Sequence, residues 1–407
     1  MTVITKVKRA AIRIQGLKDS EMDFQLLRML GTSCNGGSSV GECFSIIDKI
    51  ADCDPANWTR EFHQLAKQAE KQAIDALKKG HKISAKDHFI RASNYYRSAE
   101  YYADPFQPEQ HKLGIKSFET FNQFTQLLNL PVDCLEIPYE KKWLPGYFMR
   151  PNEDKRPKKT IIIISGFDGS NEESYLQFGK LALERGYNVL IASGPGQTST
   201  LRFHPDLKFC HNYEKPIGSI IDYALKQPEV DANKLAILGI SFGGYFATRA
   251  TAYDDRIKAV IANSPIIDLY AYMLAFTGHE VLEPDIYFTT DDLDEIPDTV
   301  MSRNQKLLFK ALCFKFGVNS FPEYFKKLEQ FKLGDAIKNI KCPSFAMMGE
   351  GEGNEVLSQA KRFEKNVSGP VTKYIFTIQE GADAHCQLGN IPLSCAIACD
   401  WLDETLE

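Results

Sequence analysis

From Val132 to the C-terminus, short β-rich segments alternate with helical patterns, and this alternation limits the fold more than any other feature of the sequence. Most of the segments are continuously apolar, and amphipathic patterns such as LQFGKLALERG and PIGSIIDYALKQ separate the later ones. This arrangement indicates an α/β fold with a mostly parallel sheet that is covered by helices on both faces. The predicted strands are CLEIPY, LPGYFMRP, TIIIIS, YNVLIAS, KLAILGI, KAVIANS, PSFAMMG and TKYIFTI.

Residues 1–130 show helical patterns instead. Asp54 and Pro55 can serve as the N-cap and first-turn proline of a helix that ends near Gly80, and HFIRASNYYRSAEYY continues the pattern in a second helix. We therefore predict an N-terminal helical domain over residues 1–130 and a catalytic α/β domain over residues 131–407. The sequence leaves open whether the helical domain covers a functional site or forms a homodimer interface.

One connection in the α/β region is much longer than the others. Between KAVIANS and PSFAMMG the chain spends about 75 residues, far more than the usual strand-to-helix connection needs. The segment is rich in aromatic residues, which favours a folded insertion over a disordered loop. We predict a helical lid over about residues 269–340.

Ser241 lies in the sequence GISFG, directly after the apolar strand KLAILGI and before a helical pattern. A serine on a tight strand-to-helix turn needs glycine neighbours, because side chains there would clash with the adjoining strand and helix. Such a turn exposes the hydroxyl above the sheet, at a helix N-terminus whose amide groups favour negative charge. The motif therefore predicts a nucleophilic serine.

A nucleophilic serine needs a base that accepts its proton, and His385 occupies the expected place in the chain. It follows the last predicted strand and precedes the C-terminal helical pattern LSCAIACDWLDETL. The other histidines lie in the helical region, before the nucleophile or in the predicted lid. His279 belongs to that lid, so it is a candidate for contact with a substrate.

Two backbone amides are predicted to bind the negative charge that develops on a substrate oxygen. One is the amide of Phe242, the residue after the nucleophile. The other comes from the loop after the strand TIIIIS, whose sequence is SGFDGSNEESY. In this loop Gly166 allows a close approach, and either Gly166 or Phe167 offers the N–H group.

Several carboxyl groups are candidates for the acid that orients the histidine. In this topology the acid usually follows the strand after the lid, PSFAMMG, which runs on into GEGEGNE. Glu352 occupies the fourth position of that glycine-rich run, where aspartate is usual, and we predict that it is the acid. The alternatives are Glu350, two residues away, Asp268, which follows the strand KAVIANS, and Asp383, which closely precedes the histidine.

At this point the motifs resemble those of α/β-hydrolases with an N-terminal helical domain. That group includes 2,6-dihydroxypseudooxynicotine hydrolase and the polyketide-shortening hydrolases of pigment pathways, and the chain is also similar to esterases of the fermentation–respiration switch type. The resemblance covers almost the whole chain. The segments that carry it are RASNYYRSAEYY, SGFDGSNEESY, SGPGQ, GISFGGYFATRA and HCQLGN with the tail ACDWLDETL.

The resemblance implies an α/β-hydrolase fold with an N-terminal helical domain and a helical lid. It also implies a triad in which Ser241 is the nucleophile and His385 the base. Some members of the group cleave a carbon–carbon bond next to a ketone rather than an ester. The relatives have aspartate at the acid position, where this chain has Glu352.

These observations predict a serine hydrolase that forms an acyl-enzyme and cleaves a carbon–carbon bond in a β-dicarbonyl or aromatic polyketide-like substrate. A carboxylesterase or thioesterase with the same triad is the alternative, because the chemistry up to the acyl-enzyme is shared. Tyrosines of the helical region could bind a planar substrate, although tyrosines at helical spacing usually belong to a core or an interface. The candidates are Tyr95, Tyr96, Tyr101 and Tyr102.

Composition excludes several other classes of function. The formal net charge of -5 provides no broad basic surface for nucleic acid. The longest aliphatic run, Ile161–Ile164, is far shorter than the roughly 20 apolar residues that cross a bilayer. The cysteines show neither CxxC pairs nor a compact even spacing, so neither a zinc site nor a disulfide framework is indicated. We expect a cytoplasmic enzyme that acts on a small-molecule substrate without a metal or cofactor.

Overall fold

The structure is a computed structural model that describes residues 9–11, 13–50, 54–278 and 287–407. Its central feature is a single sheet of eight strands, which agree with the eight predicted segments. The strands are β1 (Val132–Tyr139), β2 (Lys142–Met149), β3 (Lys158–Ile164), β4 (Asn188–Ala192), β5 (Val230–Ile240), β6 (Ala259–Asn263), β7 (Ser344–Gly349) and β8 (Val371–Phe376).

The strand order across the sheet is β1-β2-β4-β3-β5-β6-β7-β8. β1 and β2 form an antiparallel hairpin at one edge, and β2 is also antiparallel to β4. From β4 to β8 all neighbours are parallel. The predicted mostly parallel sheet is confirmed, and parallel pairing brings the carboxyl ends of β3 and β5 to β8 to one edge of the sheet.

Helices follow most of the strands. They are α6 (Asn171–Ser174), α7 (Lys180–Glu184), α8 (Thr198–Phe203), α9 (Glu214–Ala224), α10 (Phe242–Tyr253), α11 (Leu269–Thr277), α12 (Arg303–Phe316), α13 (Phe321–Leu328), α14 (Asn354–Asn366) and α15 (Ile391–Thr405). A short π-helical segment, Tyr175–Gly179, joins α6 to α7. The insertion between β6 and β7 supplies α11, α12 and α13.

Both faces of the sheet are apolar, which explains why the central strands are continuous hydrophobic runs. Successive side chains of a strand point to opposite faces. In β3, Ile162 and Ile164 belong to the core that includes α9, α10 and the insertion. Ile161 and Ile163 belong to the core on the other face, which includes α15. A strand with polar side chains on one face would bury them in one of these two hydrophobic cores.

The N-terminal region is helical, as the sequence predicts. Its helices are α1 (Ser20–Gly31), α2 (Val40–Phe44), α3 (Pro55–Lys78), α4 (Lys82–Tyr101) and α5 (Pro108–Thr125). The Asp54 side chain caps α3 by accepting a hydrogen bond from the Ala56 N–H group, and α3 ends two residues before Gly80. The helical region contacts the sheet where Phe121 of α5 packs against Tyr147 of β2, with ring centroids 4.9 Å apart.

A buried ion cluster also joins the helical region to the α/β region. The Arg202 guanidinium on α8 donates to both carboxylate oxygens of Glu100 on α4, at 2.9 and 2.5 Å, and to Glu172 of α6 at 3.0 Å. Each of the three side chains is less than a tenth exposed. Removing the cation would leave two carboxyl groups buried together, which is costly.

None of the helices in the described ranges is both long enough and apolar enough to cross a bilayer.

We expect Arg202→Met to lower the free energy of unfolding by about 3 kcal/mol or more, because Glu100 and Glu172 would remain buried without their cation. Urea denaturation followed by circular dichroism measures the change. Arg156→Met is the matched control, since Arg156 pairs with Asp154 while 86% exposed, and we expect little change there. Equal effects of the two substitutions would contradict this account of the cluster.

Candidate active site

Ser241 lies on the turn between β5 and α10 and has φ 60° and ψ -125°, an unfavourable backbone conformation for a residue with a Cβ atom. Backbone hydrogen bonds hold it there. The Ser241 N–H group donates to the Asn263 carbonyl at 2.5 Å, and its own carbonyl accepts from the Gly244 N–H group at 2.8 Å. The hydroxyl therefore projects from a sharp strand-to-helix turn and is partly exposed.

The turn requires glycine where the sequence has it. A Cβ atom added at Gly239 would lie 1.9 Å from the Gly243 carbonyl oxygen, which is far inside van der Waals contact. One added at Gly243 would lie 2.3 Å from the Ile164 carbonyl oxygen at the end of β3. The glycines of GISFG thus allow β3, β5 and α10 to pack closely around the serine.

The structure brings Ser241, His385 and Glu352 into one hydrogen-bonded chain. Ser241 Oγ lies 2.9 Å from His385 Nε2, and His385 Nδ1 lies 2.5 Å from Glu352 Oε2. With the proton on Nδ1, the imidazole donates to the carboxyl group and leaves Nε2 free to accept from the serine hydroxyl. Histidine and glutamate are buried, whereas the serine is reached from outside.

Two further hydrogen bonds orient the acid. Glu352 ends a short 3₁₀ turn, Glu350–Glu352, directly after β7. Its Oε1 accepts from the Gly349 N–H group at 2.8 Å, and its Oε2 also accepts from the Ser264 hydroxyl at 2.6 Å. Ser264 follows β6 at the same edge of the sheet and was missed in the sequence, although its position after a strand could have indicated it.

The other three carboxyl groups have different partners. The exposed Glu350 accepts from the Ile378 N–H group at 2.5 Å. Asp268 caps α11 by accepting from the Ala271 N–H group at 3.0 Å. Asp383 accepts from the N–H group of Ala11 at 2.8 Å. Within the described ranges none of these three carboxyl groups hydrogen-bonds to the imidazole of the candidate histidine.

The N-terminal segment contacts the histidine loop directly. The Arg9 carbonyl accepts from the His385 N–H group at 2.6 Å, next to the hydrogen bond between Ala11 and Asp383. The loop therefore has backbone partners from the first described residues of the chain as well as from the sheet edge.

The loop after β3 lies against the serine turn. A Cβ atom added at Gly166 would be 2.7 Å from Ser241 Cβ and 2.9 Å from the Phe242 backbone nitrogen, so the loop backbone passes directly beside that amide. The ring of Phe167 stacks on Phe209 with centroids 6.0 Å apart. The amides proposed from the sequence as oxyanion donors are thus neighbours.

Burial alone would lower the pKa of His385, but interactions with Cys386, Tyr272 and Glu352 outweigh it and raise that pKa well above its ordinary value. Burial raises the pKa of the Tyr272 hydroxyl. Of these neighbours we assign the main effect to Glu352, because it contacts the imidazole directly.

A cavity of about 380 Å³ opens beside Phe167 and Asp168, and we call it the Phe167 cavity. Its other walls come from α1, α4, α5, α8 and α12, from the segment between α4 and α5, and from Pro205 after α8. It is lined by apolar residues with a few charged ones, as is usual for small-molecule sites.

The candidate substrate-binding tyrosines divide into two pairs. Tyr101 and Tyr102 line the Phe167 cavity. Tyr95 and Tyr96 do not; both are buried in the core of the helical region, where their hydroxyls donate to Glu42 and Glu70 at 2.7 and 2.5 Å. For them the structure supports the interpretation as core residues, because both belong to the hydrophobic core of the helical region.

His279, the candidate in the lid, lies outside the described residues. In the described ranges no group of three or more His, Cys, Asp or Glu side chains is arranged to hold a metal ion.

Comparisons with known proteins agree with this fold. Residues 176–298 match the model of the prolyl oligopeptidase family. The chain is 31% identical over 364 residues to alpha/beta hydrolase xenA of Xenoacremonium sinensis, with 83% of each chain covered. It is 32% identical over 337 residues to 20-hydroxy-prefusarin hydrolase FUS2 of Gibberella moniliformis, covering 79% of this chain and 80% of the relative.

Among solved structures, the chain is similar to 2,6-dihydroxy-pseudo-oxynicotine hydrolase, with a TM-score of 0.71 and 20% sequence identity. The match covers 93% of this chain and 95% of the other, and at this level of identity it shows a shared fold. The resemblance indicated by the sequence motifs is confirmed. This chain is a hydrolase that belongs to the α/β-hydrolase family.

Proposed function

We propose that the chain is a serine hydrolase that cleaves a carbon–carbon bond next to a ketone in a β-dicarbonyl or aromatic polyketide-like substrate. Ser241 is the nucleophile, His385 the general base and Glu352 the acid that orients it. The observation that carries the proposal is the hydrogen-bonded chain from Ser241 Oγ through both imidazole nitrogens to Glu352.

Acylation begins when Ser241 Oγ attacks the ketone carbonyl carbon and His385 Nε2 accepts the hydroxyl proton. The new C–O bond makes the carbonyl oxygen an oxyanion. The amide of Phe242 and an amide of the Gly166–Phe167 loop would bind that oxygen, and each such donor is worth about 3 kcal/mol in the transition state.

Collapse of the tetrahedral intermediate breaks the carbon–carbon bond. The electron pair of that bond moves onto the departing carbon and is delocalised onto the second carbonyl oxygen as an enolate. The imidazolium of His385 then returns the proton to the departing carbon, which leaves as a ketone. The acyl group remains attached to Ser241 as an ester.

Water completes the reaction. His385 removes a proton from a water molecule, the hydroxide adds to the acyl carbonyl, and Ser241 leaves with the proton held by the imidazolium. The balance is one β-dicarbonyl and one water converted to one carboxylic acid and one ketone, with the enzyme regenerated.

Carboxylesterase or thioesterase activity is the second candidate, since the same three side chains would cleave an ester or thioester through the same acyl-enzyme. The names of the relatives favour neither bond type directly. The carbon–carbon hypothesis is supported by the family resemblance and by the largely apolar cavity beside Phe167.

The direct test has two parts. We expect a fluorophosphonate probe to label the wild-type protein and to leave Ser241→Ala unlabelled, because the probe reacts with an activated serine. We then expect turnover of benzoylacetone, an aryl β-diketone, measured by loss of its enol absorbance. Absence of labelling would refute the serine mechanism, and brisk hydrolysis of p-nitrophenyl acetate without any cleavage of the diketone would favour the esterase.

We expect Glu352→Gln to lower kcat by three to four orders of magnitude, about the loss seen when the acid of a Ser-His-Asp triad becomes an amide. Glu350→Gln is the matched control. It makes the same chemical change two residues away on an exposed side chain, and we expect less than about a twofold change in kcat. Steady-state kinetics on one substrate measure both variants. The reverse result would transfer the role to Glu350, and no effect of either would point to Asp268.

The pH dependence follows from the raised pKa of His385. Only neutral imidazole accepts the serine proton, so kcat/KM should be highest above that pKa and fall as the pH drops through it. We expect the midpoint of this acid limb to lie above about 6.5, the ordinary value for histidine. In Glu352→Gln the burial remains while the negative charge is lost, so the midpoint should move down. A midpoint that does not move would contradict the assignment to Glu352.

A further inference from the structure

The Phe167 cavity contains a buried cation whose hydrogen-bonding capacity is largely unused. Lys315, on α12, is 8% exposed and lines the cavity. Its ammonium donates to Thr198 Oγ1 at 3.1 Å, which is its one hydrogen bond within the described ranges. A lysine ammonium has three N–H donors, so this contact leaves donors available.

The nearby acidic residues do not neutralise Lys315 by contact. Asp168 and Glu100 are the acidic residues whose charges raise the pKa of Lys315. Asp168 is paired with Arg28 at 3.2 Å, and Glu100 holds Arg202. Burial lowers the pKa of Lys315 to about 8, so the side chain is still mostly charged at neutral pH. A ligand oxygen with negative charge would therefore be a favourable partner.

Lys315 is also next to the loop predicted to hold the oxyanion. Its Nζ lies 5.3 Å from the ring centroid of Phe167, whose backbone belongs to the loop that passes beside the Phe242 amide. The cavity and the candidate site thus share this loop. Ser241 and His385 do not line the cavity, so Phe167 is the residue that connects the cavity to the candidate site.

Tyr102 also contributes to the wall of the cavity. Tyr102 is 4% exposed, and its hydroxyl has no hydrogen-bond partner within the described ranges. Its ring is held by Trp58 at 5.3 Å and Tyr101 at 4.7 Å. Because this oxygen is buried within the wall, we assign Tyr102 no polar contact with a ligand.

The walls also provide apolar surface for a ligand, beside the charged side chains of Glu21, Arg97, Glu100 and Arg202. Leucine and phenylalanine side chains from α8, α12 and the segment before α5 contribute to this apolar surface. They are Phe106, Leu201, Leu307, Leu308 and Phe314.

Building on the proposed function, we propose that the Phe167 cavity binds the half of the substrate that departs as an enolate. In this arrangement Lys315 donates a hydrogen bond to the second carbonyl oxygen of a 1,3-dicarbonyl.

This assignment explains how a carbon leaving group could depart. When the carbon–carbon bond breaks, negative charge moves to the second carbonyl oxygen, and an ammonium group at that oxygen is worth more in a buried site than in water. Lys315 keeps its protons throughout, and His385 supplies the proton that the departing carbon receives. An ester leaving group needs only that proton, so Lys315 should matter far less for esters.

The binding test uses Ser241→Ala protein, which cannot turn over its ligand. We compare benzoylacetone with butyrophenone, an aryl ketone of similar size that lacks the second carbonyl, by isothermal titration calorimetry. We expect Lys315→Met to weaken benzoylacetone by about tenfold or more, the cost of losing a hydrogen bond to a charged group, and butyrophenone much less.

Lys208→Met is the matched control. Lys208 is half-buried, and burial lowers its pKa to about 8 as well. Its Nζ lies 3.6 Å from the Phe314 ring centroid, but it does not line the cavity. We expect its removal to leave both dissociation constants within about twofold. Lys315→Arg, which keeps the positive charge, should retain more affinity than Lys315→Met, and thermal denaturation checks that each variant is folded.

Steady-state kinetics of protein with an intact Ser241 separate the role of Lys315 from the serine mechanism. Lys315→Met should lower kcat/KM for benzoylacetone at least about tenfold more than kcat/KM for p-nitrophenyl acetate. Equal losses for both substrates, equal weakening of both ligands, or no binding of benzoylacetone to Ser241→Ala would overturn the role of Lys315. If one of these results is obtained but the fluorophosphonate still labels Ser241, only the role of Lys315 is refuted and the serine mechanism stands. If labelling fails, the proposed function itself is wrong.

Discussion

The candidate site depends on the parallel pairing of neighbouring strands. β3 pairs with β5, β5 with β6, β6 with β7 and β7 with β8, all in parallel. This pairing places the ends of these strands at one edge of the sheet, although the loops that follow them are far apart in the chain. The loop at Gly166 follows β3, Ser241 follows β5, Ser264 follows β6, Glu352 follows β7 and His385 lies beyond β8. Each strand therefore delivers one component, and a change of strand order would scatter them.

The helical region is a structural part of this arrangement. Arg28 on α1 pairs with both Asp168 and Glu173 of the segment that follows β3, and Arg202 ties α4 to α6 through Glu100 and Glu172. These buried ion pairs fix the loop whose backbone passes beside the Phe242 amide. The same helices supply the tyrosine wall of the Phe167 cavity, so the shape of that cavity depends on how the helices pack on the sheet.

The acid position shows how far sequence reasoning reaches. Glu352 was favoured because it follows the strand after the insertion. In the structure its Oε2 lies 2.5 Å from His385 Nδ1. The sequence could not exclude Glu350, because a strand continued by two residues would have pointed both side chains the same way. The 3₁₀ turn after β7 removes that ambiguity by directing Glu350 to the surface and Glu352 inward.

The sequence by itself determined the strands, their parallel arrangement and the serine turn, because these follow from local hydrophobic patterns and from glycines at sites of close backbone contact. Only the tertiary structure decided which tyrosines face the cavity and that Lys315 is buried in it. Tyr95 and Tyr102 lie in the same aromatic-rich segment, and a lysine among apolar residues of a helix usually reaches solvent. Their surroundings come from residues that are distant in the chain, and local patterns carry no information about those.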